Sequence, residues 1–424
     1  MTRTDERGCP LSGANAAAAD LYERALIAMC SWRAGADTLA LAAQREAPAF
    51  VMAHLLPAWG LVCSRDPRRV ASARAIVMRA MQLPAGEGER AHIAALHAVL
   101  GDHYELAKAL LGEQLTRRPR DLLALQVAHA LDHVTGDMRR MLDRVEGVLP
   151  AWSAGLPGHH AVIAMHAFSL EENGEAELAE MRARAALAAS PTDARAHHVM
   201  AHVFEATDRA AAGVAWMNRH AAAWQPDTTV ATHGWWHVAL FHLALGDTDR
   251  ALALYDAKVR RERSREVSDL IDATSLLWRV RLQGGDAGAR WNELASAWDA
   301  HVDDAFCSFT DFHAMLAFVG ARDGVRARRL ELALAREQSQ PTRHGETTRC
   351  LGLPACRALM AFGRGDTALA VTLLASLPTL AHRFGGSHAQ RDVLHLTLLH
   401  AIERMRRPRR GPRSAPAPML EEKS

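Results

Sequence analysis

The sequence predicts an all-α chain, a right-handed superhelical solenoid of about eight to nine helix pairs running from one end to the other. Three observations carry that prediction. Alanine and leucine, the strongest helix formers, supply much of the 49% hydrophobic content. Aromatic residues make up only 5%, too few for the half-buried pleated surfaces of a β-rich core. One turn grammar also recurs along the 424 residues.

That grammar is plainest from Ala167 to Ala179, which reads as a helix end, a glycine turn at Gly174 and the start of a second helix. It returns around Asp208 and Gly246, and earlier at Gly101 and Gly136. Later it appears at the Gly284/Gly285 pair, between Gly320 and Gly324, and at Gly365. The spacing of roughly 34 to 43 residues matches the tetratricopeptide period with small insertions. A small residue follows five positions after the turn, at Ala179, Gly213, Ala251 and Ala370, where the second helix packs on the first. Proline closes units at Pro119, Pro191 and Pro226, because it cannot continue a helix. Residues 1–18 read as an irregular cap and 19–405 as one continuous array. Residues 406–424, rich in arginine and proline, read as a disordered tail.

Charge and cysteine usage exclude several classes. Fifty basic and 48 acidic residues leave a formal charge of +2, which gives no electrostatic case for nucleic acid or an anionic membrane. The chain start lacks a signal-peptide apolar run, and no stretch of about 18 uncharged apolar residues suggests a membrane span. Cys9, Cys30, Cys63, Cys307, Cys350 and Cys356 form no CxxC pair, so reduced thiols and a cytoplasmic location are expected. Phosphate-loop, dinucleotide-binding and nucleophile-elbow motifs are missing, and no organic cofactor is recognisable.

The 23 histidines are the unusual feature. His129/His133, His198/His202 and His233/His237 are spaced i, i+4, which places both imidazoles of a pair on one helical face. In the repeat register, first helices line a concave surface. His198, His202, Glu205, His233, Trp236 and Asp272 then converge from successive first helices. Imidazoles, carboxylates and indoles in one groove are costly unless paired or solvated. Three explanations compete: core histidines tying helices together, acid/base work on a small molecule, and a divalent metal. His198-Val-Met-Ala-His202 lacks the glutamate of a zinc-protease HExxH motif.

The strings His198-Val-Met-Ala-His-Val-Phe-Glu205, His233-Gly-Trp-Trp-His237 and Asp272-Ala-Thr-Ser-Leu-Leu-Trp-Arg279 resemble the tetratricopeptide repeat protein 38 family. So do Arg290-Trp291, Asp311-Phe-His313-Ala-Met, Gly8-Cys-Pro-Leu-Ser and Pro48-Ala-Phe-Val-Met-Ala-His54. The resemblance covers nearly the whole chain, is most specific over residues 160–320, and implies a tetratricopeptide-like superhelix without a transferable reaction. Gly234 stands where the family pattern leads one to expect a polar Asn, a departure that suggests a widened pocket.

The resulting expectation is a small-molecule enzyme acting on a planar substrate in a bacterial pathway, including oxidation without a fingerprinted cofactor. His198, His202, His237, Asp272 and His313 are the candidate catalytic residues. His166, Glu171, Glu205, His233, Trp235, Trp236 and Asp311 are the candidate substrate contacts. The alternatives are a non-enzymatic scaffold for a peptide or protein partner and a metal-dependent enzyme with histidine ligands.

Overall fold

The computed structural model describes residues 3–406, and about three-quarters of the chain is helical, with almost no strand. Short turns join the helices in pairs. The first four pairs are α1 (Ala16–Cys30) with α2 (Ala36–Glu46), α3 (Val51–Val62) with α4 (Pro67–Ala80), α5 (Glu87–Leu100) with α6 (Tyr104–Arg117), and α7 (Leu122–Thr135) with α8 (Met138–Val148). Next come α9 (His159–Glu172) with α10 (Ala176–Ala189), and α11 (Ala194–Ala206) with α12 (Ala210–Arg219), followed by the short α13 (Ala221–Trp224). Then α14 (Ala231–Ala244) pairs with α15 (Thr248–Leu254), α16 (Val267–Leu282) with α17 (Arg290–Trp298), and α18 (Ser308–Gly320) with α19 (Gly324–Glu337). The short α20 (Arg343–Thr347), the pair α21 (Leu353–Gly363) and α22 (Thr367–Leu374), and the long α23 (His388–Arg406) complete the chain.

One turn chemistry makes the pairs. Asp102, Gly136, Gly174, Asp208, Gly246, Gly284, Arg322 and Gly365 all take positive φ, each at a predicted turn or one residue from it. After each, a backbone N–H reaches five residues back, as in Asp137 to Asp132, Glu175 to Leu170 and Asp247 to His242. This satisfies a carbonyl that the helix end would otherwise leave without a partner. The aspartate that follows often caps the next helix: Asp137 accepts from the Arg140 N–H, Asp247 from Arg250 and Asp366 from Leu369. The small residues do what their positions imply. Ala179, Ala251 and Ala370 are fully buried, and a Cβ at Gly213 would lie 2.6 Å from the Phe241 ring.

First helices also pack on one another, α9 on α11, α14 on α16 and α16 on α18. Both ends of the chain fold back on these middle pairs. After α1, the Ala34 N–H donates to Asp227 O at 2.8 Å, and Thr229 donates to Trp32 O at 3.0 Å. From the C-terminal side, His388 N–H donates to Glu172, and Arg279 donates to the Ala389 carbonyl. Gly385, at φ +66, passes so close to α7 that a Cβ there would sit 2.4 Å from Val134 O. The inner ends of α7, α9, α11 and α16 are therefore covered by the protein's own chain.

Strand content is almost nil, as an all-α chain implies: the strands among the described residues are one two-residue antiparallel pair, Arg3–Thr4 with Pro10–Leu11. Asp5 closes its turn by accepting from the Arg7 and Cys9 N–H groups. The N-terminal cap is shorter than 1–18, because Asn15 caps α1 by accepting from Ala18 N–H. The tail 406–424 lies outside the described residues except Arg406, which is still helical. No helix among the described residues is long and apolar enough to cross a membrane.

Candidate functional site

Asp193 starts α11 by accepting from the Ala196 N–H at 3.1 Å. That cap sets the helical register, so Arg195, His198 and His202 lie along one face. In α14, His233 and His237 repeat the spacing, and the two helices bring four imidazoles together. His198 Nε2 is 3.0 Å from His202 Nε2 and 2.9 Å from His233 Nε2. The His237 ring centroid is 4.7 Å from that of His202 and 4.8 Å from that of His233. One ligand-type nitrogen from each of the four lies within 4.8 Å of all the others. His198, His202 and His237 are buried, and His233 is partly exposed.

Carboxylates stand behind three of these rings. His233 Nδ1 is 2.8 Å from Asp272 Oδ2, His202 Nδ1 is 3.3 Å from Glu171 Oε2, and His237 Nδ1 is 3.3 Å from Glu205 Oε2. At His233 that contact is a hydrogen bond, and an Nδ1–H donated there leaves the Nε2 lone pair facing His198. Neither ring nitrogen of His237 has a hydrogen-bond partner. Burial, followed by the charges of His202, His233 and His237, pushes His198 well below its ordinary value. His237 is pushed down in the same way, by burial and then by His202 and His233. Burial opposes charge on His202 too, but Glu171, Glu172 and Glu205 hold it up at about 9.

Aromatic rings frame the cluster. Trp236 stacks on His233 with centroids 5.0 Å apart and donates its indole N–H to Ser275 Oγ at 2.9 Å. Phe168 from α9 contacts both His198 and His202 at 5.7 Å. Trp32, from the loop after α1, lies 5.1 Å from His198. A cavity of about 810 Å³ runs along the Glu205 side, bordered by Phe204, Phe241, Arg279 and Leu396.

Four of the other predicted residues, His313, Asp311, His166 and Trp235, lie apart from this cluster. His313 makes a local bond from its Nδ1 to Phe309 O at 2.8 Å and packs on Phe309 and Phe312. Asp311 is buried in the core, and burial, then Asp304 and Glu337, raise it well above the usual carboxylate range. His166 faces Glu146 at 3.7 Å. Trp235 packs on Trp224 at 5.2 Å with the Lys258 ammonium over its ring, among core side chains rather than histidines. Glu171 stands behind the His202 imidazole, and Glu205 stands behind that of His237 and also borders the cavity. Gly234 does not widen a pocket: a Cβ there would lie 2.6 Å from the Trp224 ring, so glycine is required for packing.

Sequence reasoning missed Trp32, Phe168 and Arg195. Arg195 carried a usable signal, three residues before His198 on the same face. Trp32 carried none, because its partners on α11 lie more than 160 residues away. No protein-family model matches the chain.

Proposed function

We propose that this protein is a metalloenzyme whose helix pairs form a tetratricopeptide-like solenoid around a divalent first-row transition-metal centre. Its ligands are His198, His202, His233 and His237, and its substrate is a small planar molecule. One observation carries the reading: three of the four imidazoles have a carboxylate at Nδ1, and all four present a nitrogen to one point. Carboxylate–histidine pairs of this kind orient metal ligands and raise their basicity. Imidazole donors suit zinc, copper, iron and nickel.

The spacing also favours a catalytic centre over a closed structural one. With metal–nitrogen bonds of about 2.1 Å, Nε2 separations of 2.9 and 3.0 Å subtend about 90°, well under the tetrahedral angle. Ligands at such angles leave coordination positions for water or substrate. A metal there polarises a bound oxygen or supplies hydroxide near neutral pH. Trp236 fixes the His233 ring, Asp272 fixes its tautomer, and the cavity beside Glu205 gives small molecules access to the His237 edge. The covered inner face argues against an open peptide groove, the expected surface of a scaffold. Resemblance to the tetratricopeptide repeat protein 38 family and a cytoplasmic location belong to the same proposal.

The test is calorimetric titration of chelator-stripped protein with Zn²⁺. The expected result is one tight site per chain, lost in His202→Ala and in His233→Ala. Equal Zn²⁺ uptake by wild type and the His202→Ala/His233→Ala double variant overturns the reading.

A further inference from the structure

Arg195 is the least satisfied charge in the described structure. Its side chain is 1% exposed, and its one hydrogen bond runs from Nη2 to the neutral Gln126 side chain. Nε and Nη1 are buried without a hydrogen-bond partner. No carboxylate among the described residues lies within ion-pair distance, whereas the buried Arg7 is paired with both Asp5 and Glu23. An unpaired buried guanidinium is a large destabilising feature, and such groups occur where a partner completes them. Burial pulls Arg195 below the ordinary arginine value, and only Cys30 and Asp193 oppose it. The guanidinium remains a cation.

Its surroundings say what that partner is. The guanidinium lies over the Trp32 ring at 4.8 Å, and the other neighbour of that ring is His198 at 5.1 Å. Phe168, on α9, contacts His198 as well as His129 and His133. His198 Nδ1 and His133 Nε2 are themselves buried without partners. Trp32 is the removable wall of this cluster. It is only partly buried, sits in a short loop, and holds a left-handed φ of 57° that a bulky side chain adopts at a cost. Its loop is held by backbone hydrogen bonds to the 227–229 segment and by the Ala194 N–H donating to Ser31 O, so the movement is that of the Trp32 side chain rather than of the whole loop.

We propose that Arg195 binds the carboxylate of a small planar organic acid, held against Trp32 and Phe168 beside His198, with Trp32 acting as its lid. Of the unpartnered donors, Nε–H and Nη1–H lie on different edges of the guanidinium, so a carboxylate takes one of them together with the Nη2 proton that Gln126 leaves free. The apolar rings take the flat body. This deepens the metalloenzyme reading by naming the substrate class, and it rests on that reading only for the ligand's place next to the reacting centre. The cavity beside Glu205 does not serve the same role, because a carboxylate already borders it.

Benzoate is the probe and benzamide its uncharged counterpart, both titrated calorimetrically into metal-free full-length protein. The expected result is that wild type binds benzoate at least tenfold more tightly than benzamide, with quenching of tryptophan emission that Trp32→Phe abolishes. Arg195→Gln brings benzoate down to the benzamide level, and Arg195→Lys retains part of the preference. Absence of benzoate binding by wild type, equal binding of the two probes, or benzoate binding unchanged in Arg195→Gln overturns the proposal. If Arg195→Gln fails to fold, the wild-type preference and the Arg195→Lys variant still decide it. Zn²⁺ uptake measured on the same samples separates this outcome from failure of the metal centre, since benzoate binding to metal-free protein does not need the metal.

Discussion

Two buried histidine clusters in this molecule use the same residue types to opposite ends. In the N-terminal third, His92 is fully buried, accepts the Trp59 indole N–H at Nδ1, and faces Asp121 through Nε2 at 3.2 Å. Asp121 is itself completed by the Gln114 amide and the Ala124 N–H, so it also caps α7. Burial would raise Asp121, but the His92 charge and these hydrogen bonds hold it at about 2. Every polar atom named there has a partner, and the network ties α3, α5, α6 and α7 together. In the four-histidine cluster the carboxylates sit at the rear, the nitrogens face each other, and His198 Nδ1 and both His237 ring nitrogens lack a hydrogen bond. A satisfied network is a brace. An arrangement that frustrates its own lone pairs is completed by something else, and the geometry there suits a metal.

The largest separation between the two clusters is expected from metal-linked stability. Ligand binding to the native state alone stabilises by about 4 kcal/mol at a thousandfold excess over Kd. Thermal melts of wild type should therefore rise with added Zn²⁺ or Co²⁺, and those of His202→Ala should not. A rise retained in His202→Ala would erase the distinction. Asp272→Asn should lower metal affinity roughly 10–100-fold with little change in the metal-free melt, because it keeps an acceptor for the Gln390 amide and perturbs chiefly the partner behind His233. Competition against a chromophoric chelator measures that ratio.

His92→Ala should do the reverse. It leaves the Trp59 N–H without a buried partner and takes one of three from Asp121, a cost of about 1–3 kcal/mol by denaturant titration, with metal affinity intact. The two clusters exchange roles if His92→Ala proves silent and His198→Ala unfolds the metal-free protein.

Acid sharpens the N-terminal side of the comparison. Asp121 is depressed, so its stabilising contribution is complete above its ordinary 3.8 and is lost as pH falls toward about 2. His129 is held down to about 3 by burial and then by the Arg195 charge. Its contribution is present above 6.5 and is lost as pH falls from there toward 3. In metal-free protein, Asp121→Asn should flatten the stability curve below about pH 4 and leave the decline between 6.5 and 4 unchanged, as followed by circular dichroism. The smallest effect concerns packing near the cluster. Gly234→Ala must displace the Trp224 ring and should cost about 1–3 kcal/mol without altering metal stoichiometry.

The turns were the most legible part of the fold. A left-handed residue recurs at or beside every predicted turn, and at four of the eight an aspartate follows it and caps the next helix, which is local chemistry. Convergence of His198, His202, His233 and His237 was legible too, because i, i+4 spacing on neighbouring first helices leaves few other arrangements. What failed was the assumption that a polar residue on a first helix faces the site. Helices α9, α11, α16 and α18 are buried nearly all round, since neighbouring pairs and the returning C-terminal segment cover both faces. His313, Asp311, Trp235 and His166 therefore became interior groups in separate places. Trp32 reaches the cluster from a loop far away in sequence, a contact that no helical period encodes.

The central claim is that four imidazole nitrogens bind one metal ion. X-ray absorption at the metal edge of Zn²⁺- or Co²⁺-loaded protein tests it most directly. The account predicts one ion per chain with a nitrogen shell at about 2.0–2.1 Å and outer-shell scattering from three or four imidazoles, reduced in His233→Ala and unchanged in His92→Ala. A shell of water or carboxylate oxygens without imidazole scattering, or a spectrum unaffected by His233→Ala, contradicts it.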